Sequence, residues 1–240
     1  MLHTRYRRIL LKLSGEALAG NRPFGIDPQA IATVVNEIKP LYDAGIQIGI
    51  VLGGGNIFRG ITGTAMAINR VSGDAIGMLA TVINSLMLKE YLQNAAMAAV
   101  VLNAVRLEKV AGLFSAPEAI ELLEQKKIVI ISGGTGNPFF TTDTAAALRC
   151  AEIGGEVLIK ATKVNGVYES DPVKNPQARQ LSTLTHNDAL SRNLQFMDAT
   201  ALTLCRDNNI PILVLKMLEP GNLYKAACGE TVGSLVTRGD

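Results

Sequence analysis

The chain's 240 residues are 48% hydrophobic and 18% charged, enough apolar material for a sizeable core and too much for a disordered chain. Its 23 basic and 21 acidic side chains leave a net charge of +2, which gives no bulk reason to expect nucleic acid as a partner. The three cysteines, Cys150, Cys205 and Cys228, lie far apart and never in C-x-x-C, so a disulfide framework or structural zinc site is not expected and a reducing cytosol is.

The cluster Arg5, Arg7, Arg8 reads as a solvated face before the first strand. The apolar run ILLKL that follows is too short for a signal-peptide core and carries Lys12. No run of about twenty apolar residues is present to span a membrane. His3 and His186 lack ligand spacing, so no histidine-held metal is expected and no protein metal ligand is assigned. A soluble cytoplasmic protein is the expectation.

Strand-like and helix-like segments then alternate, the pattern of a mainly parallel sheet with helices on its faces. RILLKLS (8–14) reads as a strand ending at Gly15. PQAIATVVNEIKPLYDAG (28–45) places Ile31, Val34, Val35, Ile38 and Leu41 at helical period, with Pro28 in its first turn and Gly45 at its exit. IQIGIVL (46–52) is a second strand, closed by three glycines. SGDAIGMLATVINSLMLKEYLQNA (72–95) reads as a long helix capped by Ser72, with Ile76, Leu79, Ile83 and Leu86 on one face. AAVVLNA and KKIVIIS are further strands around a helix at 115–125; a helix at 144–155 and the strand EVLIKAT (156–162) follow. The stretch 165–177 is turn-rich and polar, the best candidate for a mobile insertion. THNDALSR and MDATALTLCRDNN read as helices, IPILVLKM as a strand, PGNLYKAACGE as a short helix and TVGSLVT as a closing strand. With no repeat and no linker, one α/β domain is expected over 1–240.

Three strands end in glycine: KLSG (12–15), VLGGG (51–55) and ISGGTG (131–136). In open α/β sheets ligands collect beyond the carboxyl ends of the strands, where bare amides and helix N-termini favour anions. One such turn is ordinary strand-to-helix chemistry; three together, rich in Gly, Ser, Thr and Asn, point to phosphate. No G-x-x-x-x-G-K-[ST] occurs and no G-x-G-x-x-G is completed, so neither a P-loop nor a dinucleotide fold has support. Lysines from elsewhere must help, and Lys12 and Lys160 each lie near the carboxyl end of an apolar strand, where a lysine either snorkels to solvent or meets a buried anion. The stretch SGGTGNPFFTTDTAA (132–146) combines free backbone, two aromatic faces, hydroxyls and one acid at the mouth of a strand.

KLSGEAL (12–18), GGGNIFRG (53–60), NRVSGDAIGMLAT (69–81), GTGNPFFTTDTAA (134–146) and KATKVNGVYESDP (160–172) together resemble the bacterial uridylate kinases, a branch of the amino-acid kinase family. The likeness runs from about residue 7 to 238. It implies a three-layer α/β/α sandwich and ATP-dependent phosphorylation of UMP to UDP with Mg²⁺, in a cytoplasmic homohexamer inhibited by UTP and often activated by GTP. The resemblance places the UMP loop at Thr135, Gly136, Asn137, Pro138, Phe139, Phe140, Thr141 and Thr142; one of the two phenylalanines is equally readable as core. Asp74 would grip the ribose hydroxyls, though a first-turn acid also suits a helix dipole, and Gly54 would let the UMP phosphate approach.

On the donor side, the resemblance assigns Lys12, Leu13, Ser14 and Gly15 to an ATP phosphate turn, with Gly55 and Arg59 toward the phosphates. Thr162, Asn165, Tyr168 and Asp171 correspond to adenosine and ribose contacts, although many relatives carry Asp where this chain has Asn165 and Tyr168 also reads as a loop anchor. Lys12 and Lys160 would neutralise the moving phosphoryl group. Asp143 and Asp198 would orient the lysines or a Mg²⁺-bound water, or serve only as helix N-terminal acids. For effectors, residues 20–25 occupy the position associated with GTP activation, but LKEYLQN (88–94) lacks the arginine and histidine that several GTP-responsive relatives carry. Competing readings are a kinase of carboxylate acceptors, a non-catalytic nucleotide sensor and, weakest, a dehydrogenase.

Overall fold

The computed structural model describes residues 4–58 and 68–239. Among the described residues nine strands form one sheet. In chain order these are β1 (Arg8–Leu13), β2 (Gln47–Leu52), β3 (Ala99–Asn103), β4 (Gly112–Leu113), β5 (Ile128–Ser132), β6 (Val157–Thr162), β9 (Thr183–Thr185), β10 (Ile212–Lys216) and β11 (Ser234–Thr237). Their spatial order is β4-β3-β5-β2-β1-β6-β10-β11-β9, while β7 (Val167–Tyr168) and β8 (Gln180–Leu181) make a separate antiparallel pair. Within the large sheet only β10 and β11 pair antiparallel.

Strands covered on both faces need apolar residues at every position, which is why β1, β2, β5 and β6 read as continuous runs rather than as alternations. The alternation appears instead in which layer each side chain enters. Ile9, Leu11 and Leu13 join one apolar cluster with α2 (Pro28–Asp43), α3 (Arg70–Asn94) and α8 (Asn222–Ala227). Leu10 joins the other, with α4 (Ala116–Glu124), α5 (Thr142–Glu152), α6 (His186–Ser191) and α7 (Ala199–Asp207). The result is the expected three-layer sandwich; the short α1 (Glu16–Ala19) adds to the first layer.

The α2 helix follows its sequence signals closely. Asp27 caps it by accepting from Gln29 N at 2.8 Å, Pro28 fills the first turn, and Gly45 leaves with φ +78°. All five residues of its expected apolar face are buried.

The α3 helix departs from expectation at its cap. That cap is Asn69, whose side chain accepts from Ser72 N at 2.9 Å; Ser72 therefore lies inside the helix. The apolar face is turned outward: Ile76, Leu79 and Ile83 are 37%, 47% and 47% exposed, and Leu86 is only partly buried. The buried side is made of Gly73, Ala80, Thr81, Asn84 and Ser85, with Leu88 and Leu92 at the far end. The cause is close approach. A Cβ on Gly54 would lie 2.7 Å from Ala80 Cβ and 2.8 Å from the Gly77 carbonyl oxygen, so only small or hydrogen-bonding side chains fit between this helix and the sheet rim. By length and composition α3, at 25 residues with an 18-residue stretch of mean hydropathy 1.5, would suffice to cross a bilayer. Its small-residue face packed on the sheet, and Arg70, Asp74, Lys89 and Glu90 along it, mark it as a helix of the sandwich.

Candidate active site

The site is built where β1, β2, β5 and β6 end. The turns after β1 and β2 press together: a Cβ on Gly15 would run into the Asn56 side-chain oxygen and the Gly53 carbonyl. Two buried amides lock this contact. Asn84 Nδ2 donates to Asn56 Oδ1 at 2.7 Å and to the Gly53 carbonyl at 2.7 Å, and Asn56 Nδ2 returns a bond to Asn84 Oδ1 at 3.0 Å. Buried amides with their partners supplied fix geometry. Neither asparagine is marked by a sequence motif of its own; Asn84 is detectable only as a polar residue in an apolar helical pattern.

Lys12 and Lys160 pair directly in register across β1 and β6. Asp143, in the first turn of α5, lies between their ammonium groups. Lys12 Nζ is 2.8 Å from Oδ1 and Lys160 Nζ donates to Oδ2 at 2.5 Å, all three side chains being at least 85% buried. Burial alone would raise the Asp143 carboxyl, but the charges of Lys12 and Lys160 outweigh it and hold it below the usual carboxylate range. Burial, only partly offset by Asp143, pushes the Lys160 ammonium below the ordinary lysine value. The result is a buried +1 cluster at a rim of glycine amides, suited to a polyanion.

Asp198 caps α7 by accepting from Ala201 N at 2.9 Å. Its carboxylate also accepts from the Thr141 hydroxyl at 2.5 Å and the Thr144 hydroxyl at 3.0 Å. Thr141 in turn caps α5, accepting from Asp143 N at 3.0 Å. Asp198 is thus a helix cap that ties two helix N-termini together, and it contacts neither lysine within bonding distance.

Beside the triad a cavity of about 460 Å³ opens between α3 and the 133–142 loop. Gly54, Gly55, Asp74, Thr135, Asn137, Phe140, Thr141 and Thr142 line it, joined by Arg70 and Thr81, which the sequence reading did not single out. Gly136, Pro138 and Phe139 are absent from the lining. Gly136, at φ +82°, backs onto Ala104, and the Phe139 ring is 64% exposed. Phe139 contributes its main chain instead, donating from N to Asp74 Oδ2 at 2.7 Å while holding φ at +74°. Neither phenylalanine is core: Phe140 is 49% exposed. Burial opposes ionisation of Asp74, but the Phe139 N–H and the Arg70 guanidinium prevail and lower its carboxyl below the usual range.

A second cavity, about 400 Å³, lies under the β7–β8 pair and is lined by Tyr168, Asp171, Val164, Arg192 and Phe196 among others. Thr162 and Asn165 do not line it. The Thr162 hydroxyl donates to the Val164 carbonyl at 2.6 Å, and the Asn165 carbonyl accepts from Gln180 Nε2 at 2.5 Å. Leu13 is fully buried, so it offers a ligand only its main chain. Arg59 lies outside the described residues.

The amino acid kinase family matches residues 7–216 of this chain. The chain belongs to that family. Relatives named uridylate kinase, from Bacteroides thetaiotaomicron and Parabacteroides distasonis, are each 50% identical over 232 residues, covering 97% of this chain and 98% of theirs. Among solved structures, the UMP kinase of Bacillus anthracis superposes with a TM-score of 0.95 at 38% identity, covering 98% of this chain and 97% of that one. That of Ureaplasma parvum gives 0.90 at 36%, with 97% and 99% covered. The uridylate kinase of Archaeoglobus fulgidus gives 0.75 at 26%, with 95% and 99% covered.

Proposed function

We propose that this kinase transfers the γ-phosphoryl group of ATP to UMP, releasing UDP and ADP. An oxygen of the UMP phosphate bonds to the γ-phosphorus as the bond from that phosphorus to the β,γ-bridging oxygen breaks, and the electron pair leaves with ADP. The acceptor oxygen is already ionised, so no general base is needed. The chain's task is in-line positioning and charge neutralisation. Lys12 and Lys160 supply the neutralising charge, and Asp143 holds both ammoniums in place until phosphates arrive. The observation that carries the reading is the acceptor cavity: it sets one carboxylate, Asp74, across from the hydroxyls of Thr135, Thr141 and Thr142, with Gly54 and Gly55 beside them. A site that hydrogen-bonds a pyrimidine edge rejects the wrong base strongly, because buried groups are then left unpaired.

ATP fits the remaining space, its phosphates at the Lys12–Gly15 turn and its nucleoside toward Tyr168 and Asp171. Among the described residues no three acid, histidine or cysteine side chains gather, and the oxygens of Asp143 and Asp198 are already engaged. Mg²⁺ therefore fits as a companion of the nucleotide phosphates, keeping its waters, and when bound would neutralise charge on them. The reading takes residues 1–240 as one domain with the acceptor site mainly in its first two-thirds. It also includes a cytoplasmic homohexamer with UTP as inhibitor and GTP as activator. The stripe of Ile76, Leu79, Ile83 and Met87, each at least 37% exposed on α3, supports association with further copies. The test is ADP release with UMP, CMP, dTMP, AMP, acetylglutamate and aspartate as acceptors: turnover should be confined largely to UMP. Preference for a carboxylate acceptor would overturn the reading.

A further inference from the structure

Among the described residues, Arg70 is the one charged side chain on the acceptor cavity wall that the family likeness gives no task. It stands one turn before Asp74 on α3, and its Nε donates to both carboxylate oxygens, at 2.9 Å to Oδ1 and 2.8 Å to Oδ2. The guanidinium carbon also lies 5.8 Å from the centre of the Phe139 ring, within cation–π range. Phe139 returns to the same carboxylate through its N–H. Arg70, Asp74 and Phe139 therefore close a loop of contacts joining the first turn of α3 to the 133–142 loop.

An arginine side chain that is 62% exposed gains little from an ordinary surface ion pair. This one differs in that its partner is only 19% exposed and looks into a ligand cavity. A carboxylate offers about four acceptor positions, two on each oxygen. The shared Nε–H and the Phe139 N–H use only part of that capacity, with Oδ1 the less engaged oxygen, so acceptor positions remain on a carboxylate that lines the cavity. The rotamer is fixed before any ligand enters, so a vicinal diol meets an oriented acceptor and not a freely turning one. Phe139 strengthens the point: an aromatic residue at φ +74° is a strained conformation that persists only where the surroundings impose it.

We propose that Arg70 is a positioning residue that sets the Asp74 carboxylate to read the ribose hydroxyls of the acceptor, and so determines the preference for ribonucleotide over 2′-deoxyribonucleotide. This rests on the assignment of Asp74 to the ribose made above. Arg70 acts through Asp74 and through the strained Phe139 backbone, and touches no reacting atom.

The test compares kcat/KM for UMP and for dUMP, at saturating ATP, in the parent chain and in Arg70→Gln, Arg70→Lys and Asp74→Asn. Arg70→Gln should raise KM for UMP roughly tenfold, the scale of one charge-assisted hydrogen bond, with a smaller change in kcat, and should lower the UMP-over-dUMP ratio. Arg70→Lys keeps the charge but lacks the planar fork, and should fall between parent and Gln. If Asp74→Asn lowers that ratio and Arg70→Gln leaves it at the parent value, the role assigned to Arg70 is wrong while the ribose assignment stands. If Arg70→Lys matches the parent, charge alone suffices and the orienting role is overturned. If Asp74→Asn itself leaves the ratio unchanged, the ribose assignment fails and takes the proposal with it.

Discussion

Replacing Asp143 by Asn keeps the shape of the residue and removes only the charge that Lys12 and Lys160 share. Each ammonium then loses a carboxylate at 2.8 or 2.5 Å, in a place where all three side chains are at most 15% exposed. Two opposite unit charges about 4 Å apart attract by about 4 kcal/mol at an effective dielectric of about 20, which is the order of the interaction each ammonium loses. That agrees with the roughly 3–5 kcal/mol for breaking a buried ion pair. For a chain of this size it corresponds to a fall in Tm of about 6–12 °C at pH 7. Lys160 is the natural outlet, because burial already favours its neutral form. In the variant its folded-state value falls further below the unfolded one, so stability should recover as pH rises toward the ordinary lysine value. ATP supplies a replacement anion and should raise the Tm of Asp143→Asn more than that of the parent. Thermal melts at pH 7 and pH 9, each with and without ATP, read all three effects. An unchanged Tm at pH 7, together with the same ATP increment in both proteins, would refute the view of Asp143 as the counter-charge of a paired-lysine anion site.

Removing the Asp74 carboxylate with Asp74→Ala should raise KM for UMP about 10- to 150-fold, the equivalent of roughly 1.5–3 kcal/mol of charge-assisted hydrogen bonding, and leave KM for ATP far less affected; steady-state kinetics at varied UMP and ATP separate the two. Gly54→Ala should cost about 1–3 kcal/mol in urea denaturation, because its Cβ would sit 2.7 Å from Ala80 Cβ in a contact with no room to yield. His186 is fully buried, with Nε2 3.1 Å from the Ile210 carbonyl oxygen. Burial outweighs its carbonyl contacts and places its pKa below the ordinary 6.5. The unfolded chain therefore takes up the proton first, so His186 costs nothing above about pH 6.5 and stability declines as pH falls below it. Tm measured from pH 7.5 to 5 should show that decline, and His186→Gln should flatten it.

The sheet was legible because its central strands are buried on both faces and so written as uninterrupted apolar runs; β1, β2, β5 and β6 lie within two residues of their expected bounds. The short strands β4, β7, β8 and β9 were not, since two or three residues of mixed polarity carry no period to read. The α3 helix shows the limit of periodicity. Ile76, Leu79 and Ile83 form a well-spaced stripe, yet the helix turns it outward because the sheet rim admits only small and amide side chains, a constraint that lies in the Gly54 contact and not in the helix itself. At the site, the glycine turns and both lysines could be found from strand ends. The acid that stands between those lysines came only from the family likeness, which offered Asp143 and Asp198 alike, since strand ends do not say which helix-terminal carboxylate reaches them. Asp198 illustrates the same point: its sequence position fits a cap, which the structure shows, but gives no sign of the Thr141 and Thr144 hydroxyls that its carboxylate also holds. Arg70 left a usable signal in its four-residue spacing from Asp74, the spacing that pairs opposite charges on a helix.

The most direct measurement is a crystal structure of the chain with UMP and a non-hydrolysable ATP analogue. Lys12 and Lys160 should be found within about 3 Å of phosphate oxygens at the junction of the two nucleotides, with Asp74 bonded to the ribose hydroxyls of UMP. Nucleotides bound elsewhere, with both ammoniums still turned only to Asp143, would contradict it.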